Sequence, residues 1–224
     1  MLWAGLSGVF APQGAFASCS NANNNHCYAQ MELDGISNNT GILNNLYIQC
    51  LYYPDTSAFD SNEMWDGNGT YWVEDGVTSG VDHYGNYHDK SWFWADSRPN
   101  GGDYNEHYNS GWKQAVAGTS YLEEILYVGN DDWKVYGANS YILLGTSTSQ
   151  PPMSGRVMNA GSEYTANSNS GIRDIGKSTG LEYRDSAQNW HFAGTGGFDA
   201  SSSNNYFTKN YDGSNSSFTW SGPC

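Results

Sequence analysis

Glu74 stands in the run Thr70-Tyr-Trp-Val-Glu-Asp-Gly-Val-Thr-Ser-Gly80. If that run is extended, its side chains alternate, so Trp72 and Glu74 share one face while Tyr71, Val73 and Asp75 take the other. A carboxyl beside an indole in an aromatic cleft is cut off from water and holds its proton more tightly, as general acid or base chemistry below neutrality requires. On a solvated sheet face the same neighbours are inert. A second carboxyl, Glu163, lies in Asn159-Ala-Gly-Ser-Glu-Tyr-Thr165, where small residues let another backbone or a substrate approach and no basic residue is adjacent. Two such carboxyls held close cannot both ionise: one keeps its proton while the other can take a proton from water. Glu182, by contrast, has Arg184 two residues away on the same strand face and reads as half of a surface ion pair.

Aromatic residues follow at once. In Lys90-Ser-Trp-Phe-Trp-Ala95, Trp92 and Trp94 share a face and Phe93 and Ala95 the opposite one. If strands over 70–76 and 90–96 are neighbours, Glu74 is expected among Trp72, Trp92 and Trp94, with Asp96, Tyr104 and Tyr108 completing a substrate-binding surface. An aromatic face of this kind also stacks on sugar rings, so a non-catalytic carbohydrate- or surface-binding module is the alternative, and a structural protein without a site is the third reading. Other chemistries lack their patterns. No G-x-S-x-G elbow, phosphate loop or dinucleotide fingerprint occurs. His83, His88, Asp89, Glu106 and His107 show no standard ligand spacing, so no metal and no cofactor is expected.

The succession Val73-Glu-Asp-Gly-Val77, Trp92-Phe-Trp-Ala-Asp96, Gly102-Asp-Tyr-Asn105 and Ala160-Gly-Ser-Glu163 resembles the glutamic peptidases of the neprosin type and, more distantly, of the eqolisin type. The likeness runs over roughly residues 60–195. It implies a β-sandwich in which Glu74 and Glu163 form a catalytic pair that activates water against a peptide bond at acidic pH. The surroundings of Glu163 depart from the Trp-rich setting of the family pattern.

Positioning these groups requires strands. Helical periodicity is almost absent; the best candidate, Ser120–Val128, reads equally well as a strand. Short alternating runs at 46–53, 70–74, 90–95, 132–136 and 140–144 are separated by Gly67-Asn-Gly, Asn100-Gly-Gly, Gly129-Asn-Asp and Asp212-Gly, residues that accept positive φ at low cost. The pattern predicts an all-β chain, a single antiparallel β-sandwich of jelly-roll or concanavalin-like type over residues 31–224. Residues 18–25 and 199–205 are rich in Asn and Ser and read as loops or a leader, the polar leader being taken as 18–30.

The 224 residues carry 23 acids against nine lysines and arginines, a formal charge of −14. No lysine or arginine precedes Lys90, and the first 89 residues contain ten acids. With no basic patch, neither nucleic acid nor an anionic membrane is expected as partner. A polypeptide or a glycan is, and the chain reads as a monomer. Residues 1–17 form a short apolar run ending in Ala15-Phe-Ala17, the pattern of a cleavable signal peptide, although its charged start is missing. Four cysteines, Cys19, Cys27, Cys50 and Cys224, fit an oxidising, extracellular setting. Three pairings are possible; the favoured ones join Cys19 to Cys27 or Cys50 and leave Cys224 to tie down the last strand.

Overall fold

The computed structural model describes residues 26–33, 35–53, 59–68, 70–97, 104–153, 157–165, 173–193, 198–202, 208–212, 217–221 and 224. The described strands are β1 (His26–Leu33), β2 (Gly41–Tyr52), β3 (Phe59–Gly67), β4 (Trp72–Val81), β5 (Tyr87–Ser97), β6 (Tyr104–His107), β7 (Thr119–Gly129), β8 (Asp132–Gly137), β9 (Ile142–Ser147), β10 (Val157–Thr165), β11 (Arg173–Arg184), β12 (Trp190–Phe192), β13 (Phe198–Ser202), β14 (Thr208–Asp212) and β15 (Ser217–Ser221). They form two antiparallel sheets. Seven strands run in the order β13-β1-β10-β3-β4-β5-β6, and the other sheet runs β14-β15-β11-β2-β7-β8-β9 with β12 attached to β11.

The β-sandwich expected from the alternating runs is thus present, and local chemistry accounts for its parts. Along β2 the buried residues Ile42, Asn44, Leu46 and Ile48 recur every second position, then a bulge before Cys50 shifts the parity so that Leu51 and Tyr53 point inward. Residues 120–128 are strand, with Tyr121, Glu123 and Ile125 inward. The β7–β8 hairpin reverses through Asn130 and Asp131, both at positive φ, as the Gly129-Asn-Asp signal predicts. Two segments differ from the polar loops expected of them: β1 begins at His26, inside the expected leader, and β13 covers Phe198–Ser202. Both gain their hydrogen bonds as sheet members, β13 lying on β1 and β1 on β10, which outweighs their polar composition. Residues 1–17, Cys19 and the Asn100-Gly-Gly turn lie outside the described residues. Cys50 and Cys224 form a disulfide with a Cα–Cα distance of 6.3 Å, fastening the tail to β2.

Between the sheets the core combines large apolar side chains with acids. Trp92 packs edge-on to Tyr121, and a Cβ on Gly145 would come within 2.2 Å of the Trp94 ring, so this glycine is the space the indole fills. Asp60, Asp66, Asp75, Asp96, Glu123 and Asp174 are all buried in this layer. Two of them tie the sheets together: Asn62 of β3 donates to Asp174 of β11 at 2.8 Å, and Ser147 of β9 donates to Asp96 of β5; within its own sheet Asp174 also accepts from Trp220 Nε1 at 3.0 Å. Among the described residues no lysine or arginine is paired with Asp60, Asp66, Asp75, Glu123 or Asp174.

A carboxyl without water or a cation keeps its proton. Burial, reinforced by the charge of Asp174, raises Asp60 well above the ordinary range; burial and the charge of Glu74 do the same to Asp75, and burial and Asp75 to Glu123. Burial takes Asp174 from 3.8 to about 7 and Asp66 to about 8, in both cases against opposing hydrogen bonds. Because each folded-state pKa lies above the unfolded one, the stabilisation is complete below about pH 4 and is lost as pH rises through 7 to 8. Each carboxyl that keeps its proton in the folded chain but has lost it in the unfolded one costs about 1.4 kcal/mol per pH unit. We expect the thermal midpoint, followed by circular dichroism, to be highest in acid and to fall steadily from pH 4 to 8. Asp75→Asn, which cannot ionise, should flatten that fall; a midpoint that climbs towards neutrality would contradict this account of the core.

Candidate active site

Register decides which side chains share a surface. On the seven-stranded sheet, Glu163 of β10 is opposite Ser61 of β3, Gly161 is opposite Glu63, and Glu63 is opposite Gly76 of β4. Two residues further along, Trp65 is opposite Glu74, Glu74 opposite Ala95 of β5, and Ala95 opposite Glu106 of β6. Residues paired across strands point to the same side. Glu163, Glu63 and Glu74 therefore lie on one face, the one turned away from the second sheet, with Trp65, Trp72, Phe93 and Tyr104. On β1, Tyr28 joins them opposite Glu163.

The three glutamates are shielded although no second sheet covers them: Glu63 is 2% exposed, and Glu74 and Glu163 8% each. β4 and β10 flank β3 and so stand about 9–10 Å apart, which long side chains must span by leaning over β3. The gap they lean into is built by glycine. Both cross-strand neighbours of Glu63 are glycines, Gly161 and Gly76. A Cβ on Gly76 would stand 2.3 Å from the Asn62 carbonyl oxygen and 2.9 Å from the Glu63 Cβ; one on Gly161 would stand 2.2 Å from the Ala29 carbonyl oxygen.

Hydrogen bonds fix the carboxyls. Tyr104 donates to Glu74 Oε1 at 2.5 Å, reaching from β6 across β5, where the intervening outward residues, Ala95 and Ser97, are small. Tyr28 is hydrogen-bonded to Glu163. Ser61 donates to Glu63 Oε2 at 2.7 Å, and the Glu63 carboxyl is within hydrogen-bonding reach of Glu163. Burial raises Glu63 well above the carboxylate range, and the charges of Glu163 and then Glu74 push it further. The phenols follow the same pattern: burial raises Tyr28 and Tyr104 far above 10, with Glu163 the next cause for Tyr28 and Glu74 for Tyr104, so both remain donors.

Of the residues singled out in the sequence, Glu74, Glu163, Trp72 and Tyr104 are brought to this face, Trp72 and Tyr104 stacking at 6.2 Å. Tyr108 sits at its margin, stacked on His88 at 3.7 Å and on Phe93 at 6.1 Å, with its hydroxyl 3.4 Å from Glu106. Trp92, Trp94 and Asp96 are elsewhere. Strands β4 and β5 are neighbours, but Val77 pairs with Trp92, Asp75 with Trp94 and Val73 with Asp96, which puts all three between the sheets. The expected setting of Glu74 among three tryptophans is corrected accordingly: its cross-strand neighbours are Trp65 and Ala95. Arg184 bonds Gln188 rather than Glu182. The residue that sequence reasoning passed over is Glu63, whose strand, Phe-Asp-Ser-Asn-Glu-Met-Trp-Asp-Gly, shows no apolar alternation.

No protein-family model matches the chain, and no curated protein matches its sequence. Its fold, however, is that of solved glutamic peptidases. A crystal structure of scytalido-glutamic peptidase with a transition state analogue inhibitor superposes with a TM-score of 0.60 at 11% identity, covering 89% of this chain and all of that one. SCP-B, a member of the eqolisin family of peptidases in complex with the tripeptide Ala-Ile-His, superposes with a TM-score of 0.57 at 11% identity, covering 90% of this chain and all of that one.

The glycine gap makes a direct prediction. Gly76→Ala forces a methyl into backbone and into Glu63, and should cost about 1–3 kcal/mol in urea unfolding at acidic pH. Equal stability of the variant and the parent would show that the gap is slack.

Proposed function

We propose that the chain is a secreted hydrolase of glutamic-peptidase type that cleaves peptide bonds at acidic pH, with Glu74 and Glu163 as its working carboxyls. The observation that carries this reading is the convergence of water-shielded glutamates on one face of the seven-stranded sheet, each provided with its own hydrogen-bond donor. The shared fold with glutamic peptidases adds support. Glu74 and Glu163 are the more accessible members of the group, and a group that meets water and substrate needs that access.

The chemistry follows from the donors. Glu163 accepts from the Tyr28 hydroxyl, an interaction that favours its ionised form, and acts as the base that removes a proton from the attacking water. The attack places negative charge on the peptide carbonyl oxygen. In acid Glu74, held through Oε1 by Tyr104, takes up a proton on Oε2, hydrogen-bonds the developing oxyanion and then passes the proton to the leaving nitrogen. The products are a carboxylic acid and an amine, and the two carboxyls return to their starting states by exchange with solvent. Trp72 and Tyr104 flank the polypeptide. The disulfide and the acid-stabilised core suit an acidic extracellular setting.

The glycan-binding alternative rests on the same face but receives less support. Stacking on a sugar wants open, coplanar rings; Trp92 and Trp94 belong to the core, and Trp72 is already stacked on Tyr104.

The test is cleavage of an unfolded protein between about pH 2 and pH 8. We expect hydrolysis to be fastest below about pH 5 and to decline towards neutrality as the proton on Glu74 is lost. Glu74→Gln and Glu163→Gln should each reduce kcat by about 100-fold or more, and Tyr104→Phe by less. An inactive parent chain across the whole range, with retention on an immobilised glycan abolished by Trp72→Ala, would transfer the function to carbohydrate binding.

A further inference from the structure

A third glutamate in a site that needs two carboxyls calls for a role. Glu63 occupies the middle strand, enclosed to 2% exposure, with glycine on either side of it and Glu163 and Glu74 leaning in from β10 and β4. Its two oxygens are unlike. Oε2 accepts the Ser61 hydroxyl at 2.7 Å, and the same hydroxyl lies 3.2 Å from the Glu163 carbonyl oxygen, so Ser61 ties the Glu63 side chain to the β10 backbone. Oε1 is fully buried and receives no hydrogen bond. The titratable groups that face Glu63 are Glu163 from β10, Glu74 from β4 and Tyr28 from β1; none of them is a cation. An enclosed carboxyl oxygen that accepts nothing, beside another carboxyl, is where a proton resides.

We infer that Glu63 is a positioning residue of the hydrolytic site: a neutral carboxyl, seated by Ser61, that donates its Oε1 proton to Glu163 and holds that glutamate ionised and aimed across the glycine gap. The role rests on the peptidase reading of Glu163. Glu163 then accepts two hydrogen bonds, one from Tyr28 and one from Glu63, which fix the rotation of its carboxylate. No proton leaves Glu63 during turnover. The donor must stay protonated at working pH, and its enclosure beside the acidic Glu163 and Glu74 favours that state.

Two variants separate donation from shape. Glu63→Gln keeps the size and a donor; Glu63→Leu keeps the bulk and removes the donor. We expect Glu63→Leu to lower kcat about 10- to 100-fold with little change in KM, and to move the acid limb of the pH profile upward, because Glu163 without its donor is harder to ionise. Glu63→Gln should recover most of the lost kcat and restore the acid limb. Equal losses in both variants, or an acid limb that stays in place in Glu63→Leu, would overturn the assignment.

A measurement independent of turnover accompanies these. In the parent chain with labelled glutamate, the carboxyl-carbon NMR signal that disappears in Glu63→Gln should remain in its protonated position past pH 6, beyond the range where exposed glutamates titrate. A Glu63 signal that titrates with the exposed glutamates would sink the inference, even in a chain that proves to have no peptidase activity. If the signal stays protonated in such a chain, the peptidase reading and the positioning role fall while the neutral state of Glu63 stands.

Discussion

Removing a carboxyl from water without supplying a positive partner is tolerable only if the carboxyl stays neutral or is fully hydrogen-bonded. This constraint governs both layers of the molecule. Between the sheets, Asp174 collects Asn62 and Trp220, Asp66 takes Asn39 at 2.6 Å, and Asp75 is left without a donor and is held neutral by burial. On the outer face the same shortage of cations makes Tyr28, Tyr104 and Ser61 the partners of the glutamates. Neutral donors do the work that lysine and arginine do elsewhere, and this fits a chain with no lysine or arginine before Lys90. Such an interior is most stable where its carboxyls keep their protons.

Small residues set where the long ones can go. Gly76 and Gly161 flank Glu63; Ala95 and Ser97 let Tyr104 reach over a whole strand; Gly145 admits the Trp94 ring from the opposite sheet. In each case a missing side chain on one strand is the room in which a large or polar side chain of another takes its place. The site geometry is therefore written as much in glycine and alanine as in the carboxyls.

The fold class was legible because alternation and turn chemistry are local: the Asn130-Asp131 reversal and the face shared by Trp72 and Glu74 follow from a few consecutive residues. What one strand shows its neighbour depends on register, which is not local. The aromatic run of β5 was correctly read as alternating, yet its alignment against β4 sets Ala95, and neither Trp92 nor Trp94, opposite Glu74. Glu63 was hidden for a different reason. Its strand carries polar residues on both faces, since the inner face takes Asp60, Asn62 and Asp66 and the outer takes Ser61 and Glu63, so no hydrophobic period marked it as strand. Only pairing with Gly161 and Gly76 reveals it as the centre of the group.

The disulfide gives the second sheet a bearing on the first. Cys224 is tied to Cys50 of β2, and β15 just before it lies along β11, where Trp220 is paired with Gly176 and hydrogen-bonded to Asp174. Asp174 in turn holds Asn62, the immediate neighbour of Glu63 in β3. The crosslink is thus the outer end of a transverse brace that runs through the thickness of the sandwich and ends beneath the glutamates. Chemical reduction of that crosslink would loosen the floor of the outer face from behind, without touching any side chain on it.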